Sequence, residues 1–168
     1  LRLFIPDIGD TITLAADWSF PLYKEYRNGD VWDSFADLNP NMNKFYDEER
    51  EIRRLKSGRA SAEYNDAIRI GKPQETIDFL WSEYIRHHVR YNLEPVAYPI
   101  TLPKNTELKV DRVFIRKGAS DYSSITFNIS KTDISFLTPQ RDGGTMKKGR
   151  KRRFWVKLKD ANTMDITG

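Results

Sequence analysis

Cysteine is absent from the 168-residue chain, which excludes disulfides, thiolate zinc sites and a cysteine nucleophile. Histidine is almost absent too: its 2 copies are the neighbours His87 and His88. Adjacent residues on a helix point about 100° apart, so this pair does not chelate one metal. No Glu-x-x-His or His-x-x-x-His spacing accompanies it. Glycine-rich phosphate loops, a Gly-x-Ser-x-Gly elbow and an Asp-rich calcium loop are all missing, so the classical nucleotide, serine-hydrolase and calcium readings fall away and no cofactor is implied. No apolar run approaches the roughly 18 residues of a membrane span. No leader pattern opens the chain, and the expectation is a cytoplasmic protein that contacts no membrane.

What is present is enough for a core: 39% hydrophobic and 12% aromatic residues argue against disorder. The length predicts a single domain over 1–168, with room for an insertion. A formal net charge of +4 hides an uneven distribution. Residues 1–50 hold 5 Lys/Arg and 10 Asp/Glu, residues 51–100 hold 8 and 7, and residues 101–168 hold 15 and 7. A basic final third favours polyanions or acidic protein surfaces as partners.

The chain reads as strands, then helices, then strands. Thr11 to Leu14 and Trp18 to Phe20 alternate, and Pro21 confines its strand to an edge, an end or a bend. Leu22 to Arg27 reads as another strand, closed by Asn28-Gly29 as a hairpin turn. From about 33 to 92 the pattern turns helical. Met42 to Lys56 carries one apolar stripe and ends at Ser57-Gly58; Ala60 to Ile70 forms a shorter helix ending at Gly71. Pro73 opens a third helix with apolar residues at Ile77, Leu80, Trp81, Tyr84, Ile85 and His88. Beyond Pro95, Pro99 and Pro103, Leu108 to Arg116 and Ser123 to Ile129 read as a hairpin across Gly118-Ala119-Ser120-Asp121. Thr132 to Leu137 and Phe154 to Lys159 are further strands. The resulting expectation is an α+β protein: a mainly antiparallel β-sheet or small β-barrel, strands at about 1–32 and 100–168, with a helical insertion at about 33–92.

The strongest functional signal is Lys147-Lys148-Gly149-Arg150-Lys151-Arg152-Arg153, which follows the flexible Asp142-Gly143-Gly144. Cations flanking a glycine can follow a phosphate backbone, and Trp155 would stack on an unpaired base. Arg112, Arg116 and Lys117 add to that charge, and the two arginines are expected to emerge at one end of the face of Leu108 and Val110. The leading expectation is a non-enzymatic module that contacts nucleic-acid phosphates. The alternative is a small regulator or inhibitor that docks on a larger machine through Trp81, Tyr84 and Tyr91, because aromatic residues beside arginines anchor interfaces. A third reading is a divalent-metal nuclease built on Glu107 and Lys109, with Asp7 as the second carboxylate and Asp111 extending the same face. The acidic run Asp30, Asp33, Asp37, Asp47, Glu48 and Glu49 is diluted by nearby arginines and reads as a solvated helix surface.

Overall fold

A four-residue strand, β1 (Thr11–Leu14), is followed by a bend at Ala15 and Ala16, and the chain resumes as β2 (Trp18–Tyr23). The structure, a computed structural model, describes residues 6–116 and 123–167. Leu14, Trp18, Phe20 and Leu22 are buried while Ser19 is exposed, the period-two burial of a half-covered sheet. Next come α1 (Gly29–Ala36), α2 (Asn41–Ile70) and α3 (Gln74–Asn92). The chain returns as β3 (Ala97–Leu102) and β4 (Glu107–Phe114), followed by β5 (Ser124–Lys131), β6 (Arg153–Lys157), α4 (Leu158–Ala161) and β7 (Ile166–Thr167). This is the α+β architecture with antiparallel strands that the sequence predicts.

Two compact units result: a β unit made from the chain up to Pro40 and from Ala97 onward, and a helical unit over Asn41–Val96. In the β unit, β1 pairs with β4 and β2 with β3, so the returning chain retraces the outgoing one. Pro21 sits opposite Pro99 in a two-stranded ribbon, where residues without an N–H are tolerated. The larger sheet runs β6-β5-β4-β1-β7, all pairs antiparallel, and its hydrogen-bonded series ends at β6 and β7 among the described residues. Trp18 and Phe20 stack at 4.0 Å, Phe20 stacks on Phe154 at 5.3 Å, and Phe127 lies 5.8 Å from Phe154. These rings join the ribbon to the sheet as one core.

Several local expectations are corrected. Asn28-Gly29 makes no hairpin turn, because both residues are right-handed helical (φ −98° and −57°) and lead into α1. Asn28 is fully buried. Its Nδ2 donates to the Tyr23 and Trp155 carbonyls at 3.1 and 3.2 Å, and its Oδ1 accepts from the Trp155 N–H at 2.8 Å. The side-chain amide thereby supplies the edge of β6 with the partner that another strand would have given. Residues 135–137 form a short 3-10 helix rather than a strand, and β6 stops at Lys157, where α4 begins. The Gly118–Asp121 turn lies outside the described residues.

The helical unit is an antiparallel pair. Its first helix passes straight through Ser57-Gly58, where the sequence suggested an end. After Met42 in its first turn, the buried positions along it are Arg53, Ser57, Ala60 and Ala67, a three–four spacing of mostly small residues that lets α3 approach. Gly71, at φ +79°, ends the helix, with its own N–H and that of Lys72 bonded to the Ala67 carbonyl. Arg53 donates to the Arg90 and Glu94 carbonyls at 3.2 and 2.8 Å and to Glu49 at 3.1 Å. A buried guanidinium thus caps the C-terminal end of α3, where a cation also meets the negative end of the helix dipole.

Candidate nucleic-acid interface

The outer face of the large sheet is set by register. Pairing Leu108 with Ile129 and Val110 with Phe127 turns those residues to the core, and half-buried Val113 pairs with buried Ile125 on the same face. The ladder slips between Val110 and Arg112, so Asp111 is an extra residue, a β-bulge. The bulge moves Arg112 off the face of Leu108 and Val110, where plain alternation had placed it, onto the opposite face. There Arg112 pairs with Thr126, Phe114 with Ser124, and Lys109 with Asn128. Across β5, Asn128 pairs with Arg153, Thr126 with Trp155 and Ser124 with Lys157. One sheet face therefore carries Lys109, Arg112, Arg153 and Lys157. Phe114 is exposed on it. Arg116 lies just past the end of β4, its N–H bonded to Ser123 Oγ at 3.0 Å. Lys117 lies outside the described residues.

The arm from Lys147 to Arg153 leads into β6 along this face. The segment before it is held by a close approach. Gly144 donates to the Pro139 carbonyl at 3.0 Å, and Met146 donates to the Thr138 carbonyl at 3.1 Å. A Cβ on Gly144 would fall 2.0 Å from the Thr138 carbonyl oxygen, so the second glycine is needed for close approach rather than for flexibility. Arm and preceding loop, with Asp111 and Asn128 from the sheet, enclose a groove of about 750 Å³. Arg141 and all six arm cations line it; Asp111 is the one carboxylate that does.

Not all of this charge is free. Two acidic residues that the sequence suggested were merely solvated, Asp30 in α1 and Asp37 just after it, meet the arm. Asp37 bonds Arg150 at 2.7 Å and Lys147 at 3.0 Å, and Asp30 accepts the Lys151 backbone N–H at 2.8 Å. The Arg150 and Lys147 side chains hold the Asp37 carboxyl below its ordinary value. Arg150 is mostly covered, and its Nη1 also reaches Ser34 Oγ at 3.4 Å, so this arginine ties the arm to α1. Burial pushes the Arg152 guanidinium down, Arg141 nearby adds to the push, and Asp142 opposes it. Arg153 Nε is buried with no partner among the described residues. Cations destabilised in this way gain from an arriving anion.

Trp155 is already occupied. Tyr23 stacks on its ring at 5.1 Å and 1°, Arg27 lies 5.4 Å from the ring centroid, and Nε1 donates to Glu25 at 2.6 Å. The ring builds the edge of the fold, and Phe114, missed because the bulge is invisible to alternation, is the exposed aromatic of the outer face. In the helical unit, Trp81 and Tyr84 join Tyr64 in one cluster with centroids 5.1 to 6.0 Å apart. Tyr91 sits apart, its ring under Arg50 at 4.3 Å. His88 lies on the exposed side and touches Tyr84, whereas His87 is the more covered of the two, 3.6 Å from Glu83. Among the described residues no three His, Asp or Glu side chains converge as a metal site. Glu107 pairs with Thr13 and Lys131, and the Asp7 N–H is bonded to Asp10. Among the described residues, no helix is long and apolar enough to cross a membrane. No protein-family model, curated protein or solved structure matches the chain.

Proposed function

We propose that the protein is a non-enzymatic module that binds nucleic acid through its phosphates, along the groove between the basic arm and the outer face of the sheet. The observation that carries this reading is the imbalance in that groove: seven Lys and Arg side chains line it against one carboxylate. Asp37 answers two of them from outside, and Asp142 stands 4.0 Å from a third, Arg141. Lys148, Lys151 and Arg152 are then the phosphate contacts, with Arg112 and Arg153 alongside. Lys147 and Arg150 fix the arm.

The test is fluorescence anisotropy with labelled single- and double-stranded oligonucleotides over a salt series. Binding should weaken steeply with salt, and the variant K148Q/K151Q/R152Q should reduce the log–log salt slope by about 2 to 3, roughly one for each phosphate-binding cation removed. Thermal stability should hold, since Asp37, Arg150 and Asp30 are untouched. Absence of binding at low salt overturns the reading and turns attention to acidic proteins, which the same groove would attract.

The second reading, a protein-interaction factor, draws on the helical unit. Its second helix fully buries none of its residues, and Trp81 is exposed beside Tyr64 and Tyr84. A stoichiometric protein partner that survives nuclease treatment of a lysate and no longer binds the Trp81→Ala variant supports this one.

A further inference from the structure

Asp111 is hard to reconcile with a groove that only collects phosphates. It lines the groove among seven cations, yet it has no ion pair and no hydrogen bond among the described residues. A carboxylate there weakens every nearby phosphate contact. The ladder is nevertheless broken to place it, because the bulge between Val110 and Arg112 re-aims this residue. Two amide side chains line the same groove, Asn128 from β5 and Gln140 from the preceding loop, both exposed and both without a partner among the described residues. Asn128 is set in register between Lys109 and Arg153. Uncommitted hydrogen-bonding groups thus sit on the groove wall with cations on both sides.

Resting on the phosphate-binding reading, we infer that the groove also reads bases, and that Asp111 selects single-stranded segments whose bases present N–H donors, guanine above all. A carboxylate only accepts hydrogen bonds. Guanine offers N1–H and the 2-amino group side by side, so it can give both carboxylate oxygens a donor at once; uracil and thymine have no exocyclic amino group. In a duplex this edge of guanine is used by its partner base, so the arrangement favours unpaired strands, whose edges are accessible. Asn128 and Gln140 supply one acceptor and two donors each. Lys148, Lys151 and Arg152 hold the flanking phosphates, which fix position without reading sequence.

The probes are labelled 12-mers of uridine alone, the same length with guanosine at alternate positions, and a third with inosine in place of guanosine, each as ribose and deoxyribose strands. Anisotropy is read at one fixed low salt. The guanosine strand should bind about tenfold more tightly than the uridine strand, with inosine between them because it lacks the 2-amino group. Asp111→Asn should erase that preference and leave the salt slope unchanged, and Asn128→Ala should reduce it. Both positions are exposed, so a melting curve matching the parent shows that the fold is kept. Equal binding of uridine and guanosine strands by the parent protein overturns the base-reading inference and leaves the phosphate reading standing. Duplex bound as tightly as single strand has the same consequence. Failure of every strand to bind overturns both.

Discussion

Replacing Asn28 by alanine should be among the most damaging single changes outside the aromatic core. The side chain is fully buried and makes three hydrogen bonds, two as donor to the Tyr23 and Trp155 carbonyls and one as acceptor from the Trp155 N–H. Truncation removes little volume, so the cost is that of unpaired backbone groups. Each buried polar group left without a partner costs about 1–3 kcal/mol, and water can recover one of the exposed-side carbonyls. The expected loss is about 3 kcal/mol. With a urea m-value of about 2 kcal/mol per molar, this lowers the unfolding midpoint by about 1.5 M and leaves m unchanged. The assay is urea unfolding followed by tryptophan fluorescence. A Trp81→Phe background leaves Trp18, Trp32 and Trp155, all in the β unit, as reporters. Asn28→Asp keeps the acceptor, removes both donors and sets a carboxylate against two carbonyls, so it should cost at least as much as alanine. A loss below about 1 kcal/mol in the alanine variant would refute the view that this amide completes the edge of β6.

Two further outcomes follow from the charged contacts. Asp37 has its pKa lowered in the fold by Arg150 and Lys147, so its stabilising effect is present above the unfolded value near 4 and is lost as pH falls through the lower folded value. The stability gap between the parent and Asp37→Asn should be constant from about pH 7 to 5 and close below about pH 4; a gap that persists in acid contradicts the assigned pairs. Arg53→Ala strands the carbonyls of Arg90 and Glu94 and leaves Glu49 only its 3.6 Å pair with the Arg90 side chain. It should cost the helical unit about 3 kcal/mol, seen as earlier melting by far-UV circular dichroism, and an unchanged curve would show that the cap is dispensable.

What was legible in the sequence is what depends on neighbours in the chain. Alternation located β5, the Gly71 and Pro73 pair located the break between the two long helices, and Pro21 confined its strand to an edge, an end or a bend, in keeping with its place in a two-stranded ribbon. Failures came where a distant partner decided the outcome. Asn28-Gly29 carries a strong turn signal, but the Asn28 side chain is claimed by Trp155. Gly58 is a poor helix residue, yet the surrounding small side chains pack against α3 and the helix continues. The basic arm was plain from composition, whereas its ties to Asp30 and Asp37 span more than a hundred residues. The candidate groove was half legible for the same reason. Its cations stand in one run, while Asp111 and Asn128 reach it only through a bulge and a register that no periodicity announces.

The retracing of β1-β2 by β3-β4 also orders events during synthesis. Tyr23 pairs with Ala97 and Trp18 with Leu102, so the first strands leave the ribosome and wait, unpaired, until the whole helical segment has followed them. That segment is held by contacts between helices adjacent in sequence, which form quickly, whereas the strands depend on slow, long-range closure. The folded hairpin shortens this closure, because once α2 and α3 are antiparallel the chain between Pro40 and Ala97 no longer behaves as a long flexible loop. The inserted helices therefore act as a splint for the nascent chain, and weakening them at Arg53 should slow assembly of the sheet even where the finished β unit keeps its stability.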